Sequence, residues 1–256
     1  MKTLDTFTDG VLWQASTLAA QAHAGQLRKG DGTAPYISHP IRVALYLTQA
    51  GLGPEIVAAG LLHDTLEETP ADRREAWRAT LLAAVGPRVL ELVEAVSDDN
   101  PEAPWAERKD AYLRHLEEAP QDALAVSCAD KLDNTLGLRE VLRTQGAEGL
   151  KRFNSPLEAK IAYHEAVADI TARRWPACPL IEPLRAAIRQ LVAFHRGRPT
   201  NPPTHLPPHS PYAQEWQRNP VVQRQMLERA HPGLHQHLEQ TLHRLRQQPP
   251  LLPAAS

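Results

Sequence analysis

The sequence predicts an all-α protein. Three observations carry that expectation. Alanine and leucine dominate and recur at spacings of three and four, the period of one helix face. Aromatic residues make up only 5 % of the chain and long β-branched runs are absent, so the residues that build sheets are scarce. Glycine and proline stand between segments of helical length, where helices start and stop.

Taken in order, residues 4–24 form the first expected helix, with Leu12, Ala15, Ala19 and Ala22 on one stripe. The stretch GQLRKGDGTAPYISHP (25–40) interrupts it and reads as a loop. Pro40 suits the first turn of a helix over 41–50, because its missing N–H would have no partner there. GLGPE then turns the chain into a helix over 55–67. Thr69-Pro70 opens another helix that stops at Gly86. Further helices are expected over 87–97, 105–118, 121–137, 157–174 and 180–195. GRPTNPPTHLPPHSP is too proline-dense for helix or central strand. Residues 1–195 are therefore expected to be the functional domain, and 196–256 a proline-rich linker and arm with one or two helices. Leu234, Leu238, Leu242 and Leu245 give that arm an apolar stripe that must pack on something. A homodimer through the arm and a cover for the domain's own surface are the two expectations.

Composition excludes several function classes. At 256 residues the chain can build one good-sized core or two modest ones. A net charge of −2 and a pI near 6.6 supply no global field to recruit nucleic acid or an anionic membrane. No run approaches the roughly 20 apolar residues needed to span a bilayer, so no membrane partner is expected. The N-terminal residues lack a continuous apolar stretch of the kind a secretory signal needs. Cys128 and Cys178 are too few for a disulfide framework, so a reducing, cytoplasmic setting is expected.

LLHDTLEET (61–69) stands out against this background, because an apolar segment runs straight into a histidine and three acids. His39 lies just before one expected helix, and His63 and Asp64 near the end of another. Asp130 falls inside the apolar stretch marked by Leu124, Val126 and Leu132, where an unpaired carboxylate is costly. Two histidines and two aspartates make a mixed nitrogen and oxygen set suited to Mn²⁺ or Fe²⁺, without the thiolates of a structural zinc site. Glu67 and Glu68 fall one helical turn after His63 and Asp64. Carboxylates so placed can orient a water and accept its proton. Asn134 is one turn beyond Asp130, and Arg28 with Lys29 supplies two cations fit to meet phosphate. Each of these residues could equally be an ordinary surface or core position when taken alone.

In their order, AHAGQLRKGDGTAPYISHP, AAGLLHDTLEET, AVGPRVLELVEAVSDD and VSCADKLDN resemble the HD-domain superfamily of metal-dependent phosphohydrolases. More narrowly they resemble the small alarmone hydrolases, stand-alone relatives of the Rel/SpoT hydrolase domain. The likeness runs from about residue 19 to 140, with ERK (107–109) and LKRFNSP followed by Tyr163 adding to it. It implies an HD-domain helical bundle and assigns the metal ligands to His39, His63, Asp64 and Asp130. It implies Mn²⁺ and a small nucleotide substrate, with removal of the 3′-pyrophosphate of ppGpp or pppGpp to give GDP or GTP. It places Glu67 and Glu68 as the acidic pair, Arg28 and Lys29 near the nucleobase, and Asn134 and Lys109 among the substrate contacts.

Two positions depart from the pattern. Glu68 stands where aspartate is usual, and Leu136 where an arginine often follows the asparagine. These departures bear on the substrate more than on the metal. Two other expectations therefore stay open. One is an HD phosphohydrolase acting on a nucleoside monophosphate or the 2′-phosphate of NADPH. The other is a non-catalytic nucleotide-binding protein.

Overall fold

The computed structural model describes residues 10–28, 34–98, 100, 102–153 and 155–196. All of its regular elements among these are helical, as expected, apart from one antiparallel bridge between Leu27 and Pro35. The helices are α1 (Val11–Ala22), α2 (Ser38–Gln49), α3 (Pro54–Leu62), α4 (Thr65–Glu68), α5 (Arg74–Ala95), α6 (Trp105–Glu118), α7 (Gln121–Gln145), α8 (Leu157–Arg174) and α9 (Ile181–Arg196). Short 3₁₀ turns over Ala71–Arg73 and Gly146–Arg152 precede α5 and follow α7. The expected arm and its apolar stripe lie outside the described residues. No described helix is long and apolar enough to cross a membrane.

The chain winds around α7. Every residue from Ala123 to Asp133 is buried, so this stretch meets neighbours on all sides, as a central helix does. It packs against α2, α3, α8 and α9. Small residues allow the close approach: Ala123, Ala125 and Ala129 are fully buried. α1 lies on α3 and α5 through Ala15, Leu18 and Ala19. Leu12, expected on that stripe, is instead 41 % exposed.

Prolines set many of the starts. Pro104, Pro120 and Pro156 occupy the N-caps of α6, α7 and α8 with extended backbone. The ring fixes φ there, and its missing N–H removes no intrahelical bond. The stop expected at Gly86 is also present. Its φ of 84° divides α5 into the two segments read from the sequence, in a region that favours glycine.

Three boundaries differ from expectation, and two of them shape the site. α2 begins at Ser38, so His39 is inside the helix rather than before it. The single helix expected over 55–67 breaks after Leu62, and α4 resumes at Thr65. Side chains explain the break: His63 Nδ1 donates to the Gly60 carbonyl at 2.9 Å, and Thr65 Oγ1 to the Leu62 carbonyl at 2.7 Å. Side-chain donors that take main-chain carbonyls offer the backbone an alternative to the helix. Finally, α7 runs on to Gln145, eight residues beyond the expected end at 137.

Candidate active site

The break after Leu62 turns His63 and Asp64 away from the axis of α3 and towards α2 and α7. His39 from the first turn of α2 and Asp130 from the middle of α7 meet them there. His39 Nε2 lies 3.1 Å from Asp130 Oδ1 and 3.5 Å from Asp64 Oδ2. His63 Nε2 lies 3.1 Å from Asp64 Oδ1 and 3.7 Å from Asp130 Oδ1. One ligand atom each from His39, His63 and Asp130 falls within 4.8 Å of the others. The expected four therefore converge, from two helices and a helix break.

Each imidazole is held by its other nitrogen. His39 Nδ1 donates to Asp133 Oδ2 at 2.7 Å, and His63 Nδ1 donates to the Gly60 carbonyl. Both Nε2 lone pairs are thereby aimed at carboxylate oxygens, which are acceptors only. His63 Nε2 is buried without a hydrogen bond of acceptable geometry. Two imidazole nitrogens and the carboxylate oxygens of two aspartates gathered at one point fit a divalent cation, and the mixed nitrogen and oxygen set fits the same ions expected from the sequence. His39, His63, Asp64 and Asp130 would hold it.

The electrostatics are those of a tight mixed-charge cluster. Burial works against a charged His63, but Asp64 and Asp130 outweigh it and hold the ring's pKa well above its ordinary value. A cation bound by these ligands would take that proton's place. Burial would raise Asp64, yet His63 and then His39 pull it below the usual carboxylate range. Asp130 is likewise held down against burial, by Lys131 first and by both imidazoles. Asp130 is further tied by an ion pair to Lys131 and by Asn134 Nδ2 at 2.5 Å. Tyr36 donates its hydroxyl to Asp64 Oδ2 at 2.6 Å.

A cavity of about 580 Å³ opens from this cluster. Arg28, His39, Asp64, Glu67, Glu68, Lys109, Asp130 and Asn134 all line it, so the structure brings the described candidates to one place. Lys29 lies outside the described residues. Arg28 stands 5.7 Å over the Tyr36 ring and 3.2 Å from Asp133. Glu67 accepts from Arg108 Nη2 at 2.5 Å, and Arg108 also donates to Asp98 at 2.8 Å. Burial and the Asp64 charge raise the Glu67 carboxyl, while Lys109 and Arg108 oppose them. Glu68 lines the cleft from an exposed position. Lys109 pairs with Asp98 at 3.2 Å. Burial, then the Lys131 charge, lower its pKa. Leu136, the residue at the departing position, also lines the cleft.

The sequence reading missed Asp133 and Arg42 as parts of this site. Asp133 binds His39, Arg42 and Arg28 together. Lys131 lies over the rings of Tyr112 and Tyr163 at 4.9 and 5.1 Å. A signal existed for Asp133, which follows Asp130 by three residues and so shares its helix face. For Arg42 none did, since its role depends on two helices crossing.

A family model described as HD domain matches residues 15–149. Over 171 residues the chain is 32 % identical to guanosine-3′,5′-bis(diphosphate) 3′-pyrophosphohydrolase MESH1 of Danio rerio, covering 59 % of this chain and 90 % of that protein. It is 32 % identical over 196 residues to the bifunctional (p)ppGpp synthase/hydrolase SpoT of Escherichia coli K12, covering 73 % of this chain and 26 % of that one. A solved metazoan ortholog of SpoT, described as hydrolysing ppGpp, superposes with a TM-score of 0.58 at 25 % identity, over 71 % of this chain and 95 % of that one. The matched span contains all four convergent residues, and the chain belongs to the HD-domain family of metal-dependent phosphohydrolases.

Proposed function

We propose that this protein removes the 3′-pyrophosphate of ppGpp and pppGpp, giving GDP or GTP and pyrophosphate, with Mn²⁺ as its metal. The observation that carries the reading is the convergence of His39, His63, Asp64 and Asp130 at the end of a cleft of nucleotide size. The MESH1 and SpoT relatives supply the substrate. These four residues would hold a divalent ion, which when bound would supply activation of water and neutralisation of charge on phosphate oxygens.

The chain's own side chains do the rest. Glu67, its carboxyl raised by burial and the Asp64 charge, accepts the proton of the attacking water. Glu68 orients that water from the rim of the cleft. Arg108 holds Glu67 in place and, with Lys109, presents positive charge to the phosphates. Arg28 faces the base or ribose end, backed by Tyr36. Asn134 fixes Asp130 through its amide and leaves its carbonyl for a water or substrate hydroxyl.

The test is incubation of metal-free protein with ppGpp, with and without Mn²⁺, resolving products by anion exchange beside Asp64→Asn. GDP and pyrophosphate should form only with Mn²⁺ and only in the native protein. A folded, Mn²⁺-loaded protein that leaves ppGpp intact contradicts the reading. A panel of nucleoside monophosphates and NADPH would then identify another phosphohydrolase, and silence across the panel a binding protein.

A further inference from the structure

Asp133 has no part in the reaction just described, yet it is 2 % exposed and gathers three donors. Its Oδ2 accepts from His39 Nδ1 at 2.7 Å. Arg42 grips both oxygens, Nε to Oδ1 at 2.6 Å and Nη2 to Oδ2 at 3.1 Å. Arg28 Nη2 reaches Oδ2 at 3.2 Å. A carboxylate held from three sides cannot swing, and it can only accept. The proton of a neutral His39 must therefore sit on Nδ1, leaving the Nε2 lone pair facing Asp64 and Asp130.

We propose that Asp133 is a positioning residue for the metal centre: it fixes the tautomer and rotation of His39 and ties Arg28 to the same carboxylate. Outer partners of this kind orient a ligating imidazole and raise its basicity. The inference rests on the reading of His39 as a ligand, and it adds a link between the substrate-facing cation and the ion. His63 needs no such residue, because the Gly60 carbonyl performs that task from the main chain.

The experiment measures Mn²⁺ affinity of the metal-free full chain from the free-ion electron paramagnetic resonance signal, for the native protein, Asp133→Asn, Asp133→Glu and Arg42→Gln. An amide can present N–H₂ to the ring and select the wrong tautomer, so Asp133→Asn should weaken Mn²⁺ by about 10–100-fold. Asp133→Glu should recover most of that loss. Arg42→Gln should cost less than Asp133→Asn, about threefold or less, since the Arg42 side chain is 42 % exposed and His39 keeps its bond to Asp133. Native affinity in Asp133→Asn, or no recovery in a folded Asp133→Glu, overturns the proposal. Should Asp133→Asn not fold, ¹⁵N ring signals of the native metal-free protein at alkaline pH decide: Nδ1–H on His39 supports the proposal and Nε2–H overturns it. If the native protein binds no Mn²⁺, this inference falls with the ligand assignment. If Mn²⁺ binds, weakens in Asp133→Asn, and ppGpp is still not cleaved, only the substrate reading fails.

Discussion

His39 and His63 face the same two carboxylates but are anchored by different means. His39 leans on a buried side-chain web of Asp133, Arg42 and Arg28 drawn from three segments of the chain. His63 leans on one main-chain carbonyl a single turn away. The first anchor gathers two guanidinium groups around one buried carboxylate and can be tuned by substitution. The second is local, follows wherever the helix breaks, and offers no side chain to alter. An evolving site can thus adjust metal affinity through α2 and α7 while the break after α3 stays constant.

Removing either ring should have the largest effect. His63→Gln and His39→Gln should each lower Mn²⁺ affinity by at least about 10²-fold, beyond what loss of an outer partner alone produces. Calorimetric titration of the metal-free variants checks this, and near-native affinity in either would remove that ring from the ligand set. A subtler blow to the His63 side is Gly60→Ala. The new Cβ would lie 2.4 Å from Leu47 Cδ1 and 3.3 Å from Val43 Cγ1, where α2 crosses α3. Overpacking there should cost about 1–3 kcal/mol of stability by denaturant melting. A displacement of the Gly60 carbonyl on the scale of 1 Å should also cost up to about 10²-fold in turnover. Stability loss without turnover loss would show that His63 does not depend on that carbonyl's position.

A third contrast lies outside both rings. Burial would raise Asp98, but Lys109 and Arg108 hold its carboxyl below the ordinary value. A depressed carboxyl contributes stability that is present above its unfolded pKa, about 4, and is lost as pH falls through the folded one. Thermal melts of Asp98→Asn should therefore show a shallower acid loss than the native protein, with little change in Mn²⁺ affinity at pH 7. An unchanged acid limb would count against Asp98 as a contributor. The smallest effect belongs to Leu12→Gln. Exposed at 41 %, Leu12 should change stability by no more than about 0.5 kcal/mol. A loss of several kcal/mol would place it in the core after all.

Much of this was legible in the residues, for reasons that differ by element. The helical period survives in a chain with so few sheet-forming residues, and Gly86 stops its helix because a φ of 84° suits glycine. The convergent four could be found because chemistry restricts where histidine and aspartate sit in apolar sequence. The helix break at His63 was not readable, since it depends on side chains capturing the Gly60 and Leu62 carbonyls. Asp133 was missed because its neighbours are 105, 91 and 94 positions away in the chain. Leu12 misled because periodicity tells which residues share a face, not which end of the face is covered.

The most direct test of the metal centre is anomalous diffraction from a crystal soaked in Mn²⁺, recorded near the manganese absorption edge. One strong peak is expected among His39 Nε2, His63 Nε2 and carboxylate oxygens of Asp64 and Asp130, with His39 Nδ1 still bonded to Asp133. A peak elsewhere, or none at a concentration that saturates the protein in solution, would contradict it.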